Sequence, residues 1–327
     1  MSLRPATTAA LEAMIAEGTE AVAAAGVLEP VYRQLGESAR LIAVHEVQIR
    51  YEEDKARSVE LLHQVAELHE VHLDQSREAF NAYARALPLD NANEHTLSSL
   101  QRLADVVQGW NDVTRLYDIE VERIRRDTPD DVVDMALRTA KIYETEVGDV
   151  GRAIDRYTIV LGADDMNLEA INALDRLYEG TKRYAELAGV LQRQIQVAAT
   201  PDDILNNQFR LGQVYQHHLA DVDSAIEQYR EILAAAPEHQ PAMSALELLF
   251  ADGVRPLIIG EIVEPIYRMS ESWDRLLNVH EVQLNYQSDP HERVHMMQRI
   301  AEIAEERAAD HDRAYVWVQR ALLEDPS

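Results

Sequence analysis

The chain has 327 residues, 58 acidic against 31 basic, a formal charge of −27, no cysteine and only 12 glycines. The negative balance disfavours nucleic acid and anionic membrane surfaces, which are held mainly by Lys and Arg releasing counterions. Absence of cysteine excludes disulfides, thiol nucleophiles and cysteine-ligated zinc, and scarce glycine counts against β-rich and dinucleotide-binding folds.

With 46% hydrophobic residues the chain has ample material for a core. No uncharged stretch approaches the roughly eighteen apolar residues of a membrane span, so no membrane insertion is expected. The compartment stays open. Lys55, Lys141 and Lys182 are the only lysines, so the positive charge is almost all arginine, which reads as a compositional bias.

Apolar residues recur at spacings of three and four along the whole chain, and no segment keeps a period of two, so every element is predicted helical. In chain order, an apolar helix at about residues 20–35 leads into a helix carrying Val44-His45-Glu46-Val47-Gln48. A hairpin marked by Ala66, Ala79 and Tyr83 follows, then a helix pair marked by Leu100, Leu103, Trp110, Val113 and Leu116. The next hairpin has Ala140, Tyr143, Ala153 and Tyr157; its following pair has Leu174, Leu177, Tyr178, Tyr184, Leu187 and Val190. A third hairpin carries Gly212, Tyr215, Ala225 and Tyr229. Its following pair, Leu246, Leu249 and Phe250 with Trp273, Leu276 and Val279, is interrupted by an extra apolar helix at about 255–270. A fourth hairpin has Ala301, Ala314 and Val318.

Helix starts are written at Thr128-Pro129-Asp130-Asp131, Thr200-Pro201-Asp202-Asp203 and Asp289-Pro290-His291-Glu292, each an N-cap, a proline and an acid in the first turn. Gly109, Gly148, Gly180 and Gly253 fall between helices, and Pro237 and Pro326 follow helix ends. The small residues have a mechanical role: where two helices cross closely, a side chain larger than Ala forces the axes apart, and an aromatic ring one turn on fills the space beside it.

Residues 29–90 match 264–325 without a gap at an offset of 235, with more than 20 identities in 62 positions. Roughly four would arise from composition, so this is an internal duplication. The units run at about 8–56, 57–129, 130–201, 202–290 and 291–327 of one continuous array, expected to be a piece of a longer one.

The small-residue, Tyr143/Tyr215, Ala153/Ala225, Tyr157/Tyr229 and Pro237 pattern resembles the tetratricopeptide repeat, a helix-turn-helix unit. It departs from that repeat in a turn one residue longer, in Asn91 and Asp165 where proline is customary, and in Val113, Leu187 and Leu276 where alanine is customary. The resemblance implies an all-α fold, a right-handed superhelical α-solenoid of stacked antiparallel helix pairs, with irregular curvature at the two extra helices. It also implies a non-catalytic scaffold for protein or peptide partners, within a multiprotein assembly of the kind formed by large bacterial helical-repeat arrays.

In the resembled family, partner segments bind the first helix of each hairpin around the small residue. Carried over by position, the candidates are Glu60, Glu67 and Glu70; Asp134, Lys141 and Glu144; Asn206, Gln213 and Gln216; and His295, Glu302 and Glu305. That line is acidic and polar, so a basic, Arg-rich segment is its electrostatic match, and only Lys141 could serve a partner's carboxylate. The alternative is an architectural spacer whose groove binds nothing. An apolar band on the last helix, Tyr315, Val316, Trp317 and Val318, suggests end-to-end self-association.

His291-Glu292-Arg293-Val294-His295 spells H-E-x-x-H, which on a helix would place two imidazoles for zinc with a glutamate as general base. The duplicate reads Ala56-Arg57-Ser58-Val59-Glu60 there, and Glu292 already has a helix-start role, so an incidental surface pair is the preferred reading and no metal or cofactor is expected. His45 and His280 lie on a face otherwise apolar and are predicted to be packed, hydrogen-bonded core imidazoles. His69, His72, His217 and His218 are expected to be solvated. Asp164, Asp165, Asn167 and Glu169 lack calcium-loop spacing and read as caps. No phosphate-cradling or nucleophile-elbow motif occurs.

Overall fold

The computed structural model describes residues 5–18 and 20–324; Pro326 lies outside the described residues. Among them the structure is helical, with no strand. The helices are α1 (Pro5–Glu17), α2 (Ala21–Leu35), α3 (Ser38–Tyr51), α4 (Lys55–Glu67), α5 (Ser76–Ala86), α6 (Glu94–Val107), α7 (Trp110–Asp127), α8 (Val132–Ile142) and α9 (Val150–Ala163). They continue with α10 (Leu168–Gly180), α11 (Tyr184–Val197), α12 (Pro201–His217), α13 (Val222–Ala235), α14 (Gln240–Ala251), α15 (Pro256–Met269), α16 (Trp273–Leu284), α17 (Pro290–Glu306) and α18 (His311–Glu324). The chain divides within α10 into two compact units, Met1–Ala173 and Leu174–Ser327. In each unit a helix packs chiefly on its neighbours in sequence, α4 on α5 and α8 on α9 in the first, α12 on α13 and α17 on α18 in the second. A single amphipathic hairpin cannot bury its own stripe, so each relies on the next.

The four hairpins share one packing device. Ala66, Ala79, Ala140, Ala153 and Ala225 have no exposed surface, and Ala301 and Ala314 are also buried. At Gly212 the approach is closest: a Cβ there would lie 2.6 Å from Cε1 of Tyr229, so the ring occupies the volume a larger side chain would need. Tyr83, Tyr157 and Tyr229 are all buried one turn beyond their alanine.

The extra turn residue also has one solution, used four times. The backbone N–H of Gln75, Asp149, Asp221 and Asp310 donates to the carbonyl six residues back, at His69, Tyr143, Tyr215 and Ala304, over 2.8–2.9 Å. The residue just before each donor is left-handed: Asp74 (φ 54°), Gly148 (φ 74°), Ala220 (φ 54°) and Ala309 (φ 53°). In the first two copies the added residue widens the helix end into a π-turn, at Leu68–His72 and Tyr143–Val147.

Caps follow the written signals with one exception. Thr200 accepts from Asp203 N at 3.1 Å, Asp289 accepts from His291 N at 2.9 Å, and Asn167 accepts from Ala170 N at 3.1 Å. Thr128 makes no side-chain cap; Pro129–Asp131 instead forms a short 3-10 turn and α8 begins at Val132. The two extra helices are α2 and α15, as the duplication requires.

His45 and His280 are 1% and 2% exposed, as expected for core positions. His45 Nδ1 meets Gln48 Oε1 at 2.9 Å, and Gln48 donates on to Glu29 Oε2 at 2.8 Å. Nε2 of each imidazole has no hydrogen-bond partner, so the prediction of a satisfied imidazole holds for one nitrogen of His45 only. Burial lowers the pKa of His280 despite Glu264 Oε1 at 3.6 Å, favouring the neutral ring.

Candidate functional site

Helices two apart in sequence are joined by charged rungs, and these reveal which helices share a layer. In the first unit Arg102 of α6 donates twice to Glu70, at 2.5 and 2.8 Å, Arg138 of α8 pairs with Glu94 of α6, and Lys141 of α8 lies 2.6 Å from Glu169 of α10. These rungs tie α4, α6, α8 and the start of α10 into one row. The opposite row is tied by Arg85 to Glu46, Arg77 to Asp112 and Arg156 to Asp118. Arg102 holds the Glu70 carboxyl below the usual carboxylate range, and Arg85 does the same for Glu46. The arginine bias is therefore a stitching device. Rung partners stand 28 to 44 residues apart in sequence, so an acid and a basic residue about one helix pair apart, in either order, was the pattern that could have pointed to them.

Two adjoining hollows run along α8, of about 570 and 540 Å³, sharing Asp134 and Arg138. Asp130, Asp131 and Glu94 line the first; Lys141, Glu146, Glu169 and Trp110 line the second. Arg138 and Lys141 are each neutralised by a rung acid, so the exposed carboxylates of Asp130, Asp131, Asp134 and Glu146 leave the strip negative.

Of the residues singled out by sequence, Asp134 and Lys141 lie in this strip. Glu67 is exposed, and Glu60 pairs with Arg57 at 2.6 Å. Glu70 faces its rung, and Glu144 accepts from Tyr157 Oη at 3.1 Å, sealing the hairpin crossing. Gln216 does the same for Tyr229, at 2.8 Å. Asn206 and Gln213 are exposed on α12, and His295, Glu302 and Glu305 are exposed on α17.

Those last two helices do not share a row. In the second unit Phe209 of α12 contacts His239 at the start of α14, ring centroids 5.7 Å apart. Arg275 of α16 pairs with Glu247 of α14, and Arg313 of α18 with Glu281 of α16. The other row joins Arg255, before α15, to Asp223 of α13, and Arg299 of α17 to Glu264 of α15. Because α15 is a single added helix, it shifts everything after it by one layer. Glu302 accordingly faces a separate hollow of about 400 Å³ with Arg268, Arg299 and Arg307.

The H-E-x-x-H segment forms the first turns of α17, with His291, Glu292 and His295 exposed. Asp289 caps the N–H groups of His291 and Glu292, and Arg293 is tied to Glu324 and the carbonyls of Leu284 and Gln287. Among the described residues no group of three or more His, Asp and Glu could hold a metal ion. No described helix is long and apolar enough to cross a membrane.

No known protein-family description matches the chain, and no curated protein matches it. Among solved structures it is similar to a tetratricopeptide repeat protein from Parabacteroides merdae, at 14% identity and a TM-score of 0.33, over 82% of this chain and 94% of that one. It is also similar to MamA, at 16% identity and a TM-score of 0.27, over 68% and 92%. A third likeness is YrrB, described as a TPR protein with an unusual peptide-binding site, at 13% identity and a TM-score of 0.31, over 60% and 98%. These superpositions are loose. The all-α, tetratricopeptide-like character of the chain stands on its own repeated hairpins, with a small residue at each crossing and a shared turn.

Proposed function

We propose that the chain is a non-catalytic protein-interaction scaffold within a larger assembly, and that the strip along α8 takes an extended, arginine-rich segment of a partner protein. The observation that carries this reading is the pair of adjoining hollows whose cations are already engaged while Asp130, Asp131, Asp134 and Glu146 are exposed. Carboxylates concentrated in a concavity attract a basic segment, and ions in solution screen that attraction. Fluorescence anisotropy with a labelled arginine-rich peptide should show affinity falling at least tenfold between about 50 and about 200 mM salt. Asp134→Lys with Glu146→Lys should lower it similarly. Salt-insensitive binding, or binding indifferent to the double variant, counts against the proposal.

The spacer reading draws on a different observation: Glu70, Glu144 and Gln216 serve contacts between or within hairpins. Absence of any peptide binding at low salt would favour it. The zinc-hydrolase reading rests on His291, Glu292 and His295, and stoichiometric zinc in purified protein, lost in His291→Ala, would revive it.

A further inference from the structure

The duplication places α17 and α18 on α4 and α5, so each surface of the second pair can be compared with its copy. On α5, Phe80 and Tyr83 are each 3% exposed, and Leu87 at its C-cap is 1% exposed; the helix packs against α6. Their equivalents on α18 are Tyr315, Val318 and Leu322, exposed by 69%, 45% and 60%. Spaced at i, i+3 and i+7, the three form a stripe on one helix face, while Ala314, Trp317 and Ala321 are buried on another. An amphipathic helix that is apolar on two faces is built to be covered twice.

The copy also shows what covers such a face. The helix lying on α5 is α6, whose Leu97, Leu100 and Leu103 are fully or nearly fully buried, and whose Arg102 grips Glu70. Glu70 is retained as Glu305, exposed on α17. The next rung of the first copy, Arg77 to Asp112, has its first member inverted: the equivalent of Arg77 is Asp312.

We infer that the Tyr315, Val318 and Leu322 face of α18 is a docking surface for an amphipathic helical hairpin of the α6–α7 type, with a leucine stripe, an arginine opposite Glu305 and a basic residue opposite Asp312. The occupant is thus a helical partner of positive polarity at its rim. Its apolar stripe supplies burial and its two cations set register. This surface is distinct from the strip along α8 and does not depend on what binds there.

A synthetic peptide covering residues 93–127 carries the α6–α7 sequence and serves as the probe, its hairpin forming as the stripe is covered on docking. Labelled and titrated with the full chain, it should bind saturably, and Asp112→Arg in the peptide should tighten binding about three- to tenfold by removing a like-charge pair with Asp312. Val318→Glu and Leu322→Glu in the protein should each weaken binding at least tenfold, and Glu305→Arg should weaken it several-fold. All three positions are exposed, so circular dichroism should show unchanged helicity and separate lost docking from lost folding. No saturable binding, binding unaffected by Leu322→Glu, or Asp112→Arg weakening the complex would each overturn the inference. So would sedimentation showing that the face is occupied by a second copy of this chain that the peptide does not displace.

Discussion

Tyr229 illustrates how one side chain fixes a helix crossing. Its ring lies where Gly212 would carry a Cβ, and its hydroxyl donates to Gln216 one turn along α12. Burial raises its pKa to about 12, so the phenol remains a donor throughout the physiological range. Gly212→Ala must move the ring or spread α12 from α13, a steric conflict in a close-packed core. We expect a loss of about 1–3 kcal/mol in urea unfolding, the usual cost of overpacking. An unchanged midpoint would mean that the ring yields freely. Glu144 and Tyr157 repeat the arrangement in an earlier hairpin, so the carboxylate one turn beyond Ala140 already has a partner inside its own hairpin.

At the scale of the element, the shared turn explains both its extra residue and its tolerance of sequence. The bond across six residues needs the position before its donor in the left-handed region, where residues with a Cβ meet the following carbonyl. Gly148 adopts that conformation without strain, whereas Ala220 and Ala309 hold it against their preference. Ala220→Gly and Ala309→Gly should therefore stabilise the chain, by about 0.5–1 kcal/mol each after the added flexibility of the unfolded state is offset. Thermal or urea unfolding checks this, and Gly148→Ala should move the midpoint the other way. The added helix α15 acts at the same scale: one helix between two copies reverses the layer on which every later element falls.

For the whole molecule the rungs matter as a set. Each is partly exposed and contributes little alone, but they recur in both units and they respond to acid. Arg85, Arg102 and Arg255 hold Glu46, Glu70 and Asp223 below their ordinary pKa. A carboxylate depressed in the folded state contributes stability above its unfolded pKa and loses it as pH falls through the folded value. Stability should therefore decline steadily once pH drops below about 5, the upper edge of carboxylate titration. His63 and His280, lowered chiefly by burial, add a shallower loss that begins as pH falls through 6.5. Urea midpoints measured from neutral pH downward test the sign, and Arg102→Gln should flatten the acid limb. A midpoint rising on acidification would contradict the rungs.

Helicity, the hairpins, the small residues at their crossings and both extra helices were legible in the sequence, because periodicity and volume act locally and a duplication repeats them. The caps at Thr200 and Asp289 were legible for the same reason. Rung partners were not, since Arg138 and Glu94 or Arg210 and Asp175 become neighbours only when helices two apart are laid side by side. Nor could position in a repeat decide that Glu70, Glu144 and Gln216 turn to internal partners, or that α12 and α17 fall in different layers. Sequence alone determined which helices form and which faces are apolar. Tertiary structure decided which polar side chains those faces leave exposed, because hydrogen bonds and ion pairs depend on distances that only packing sets.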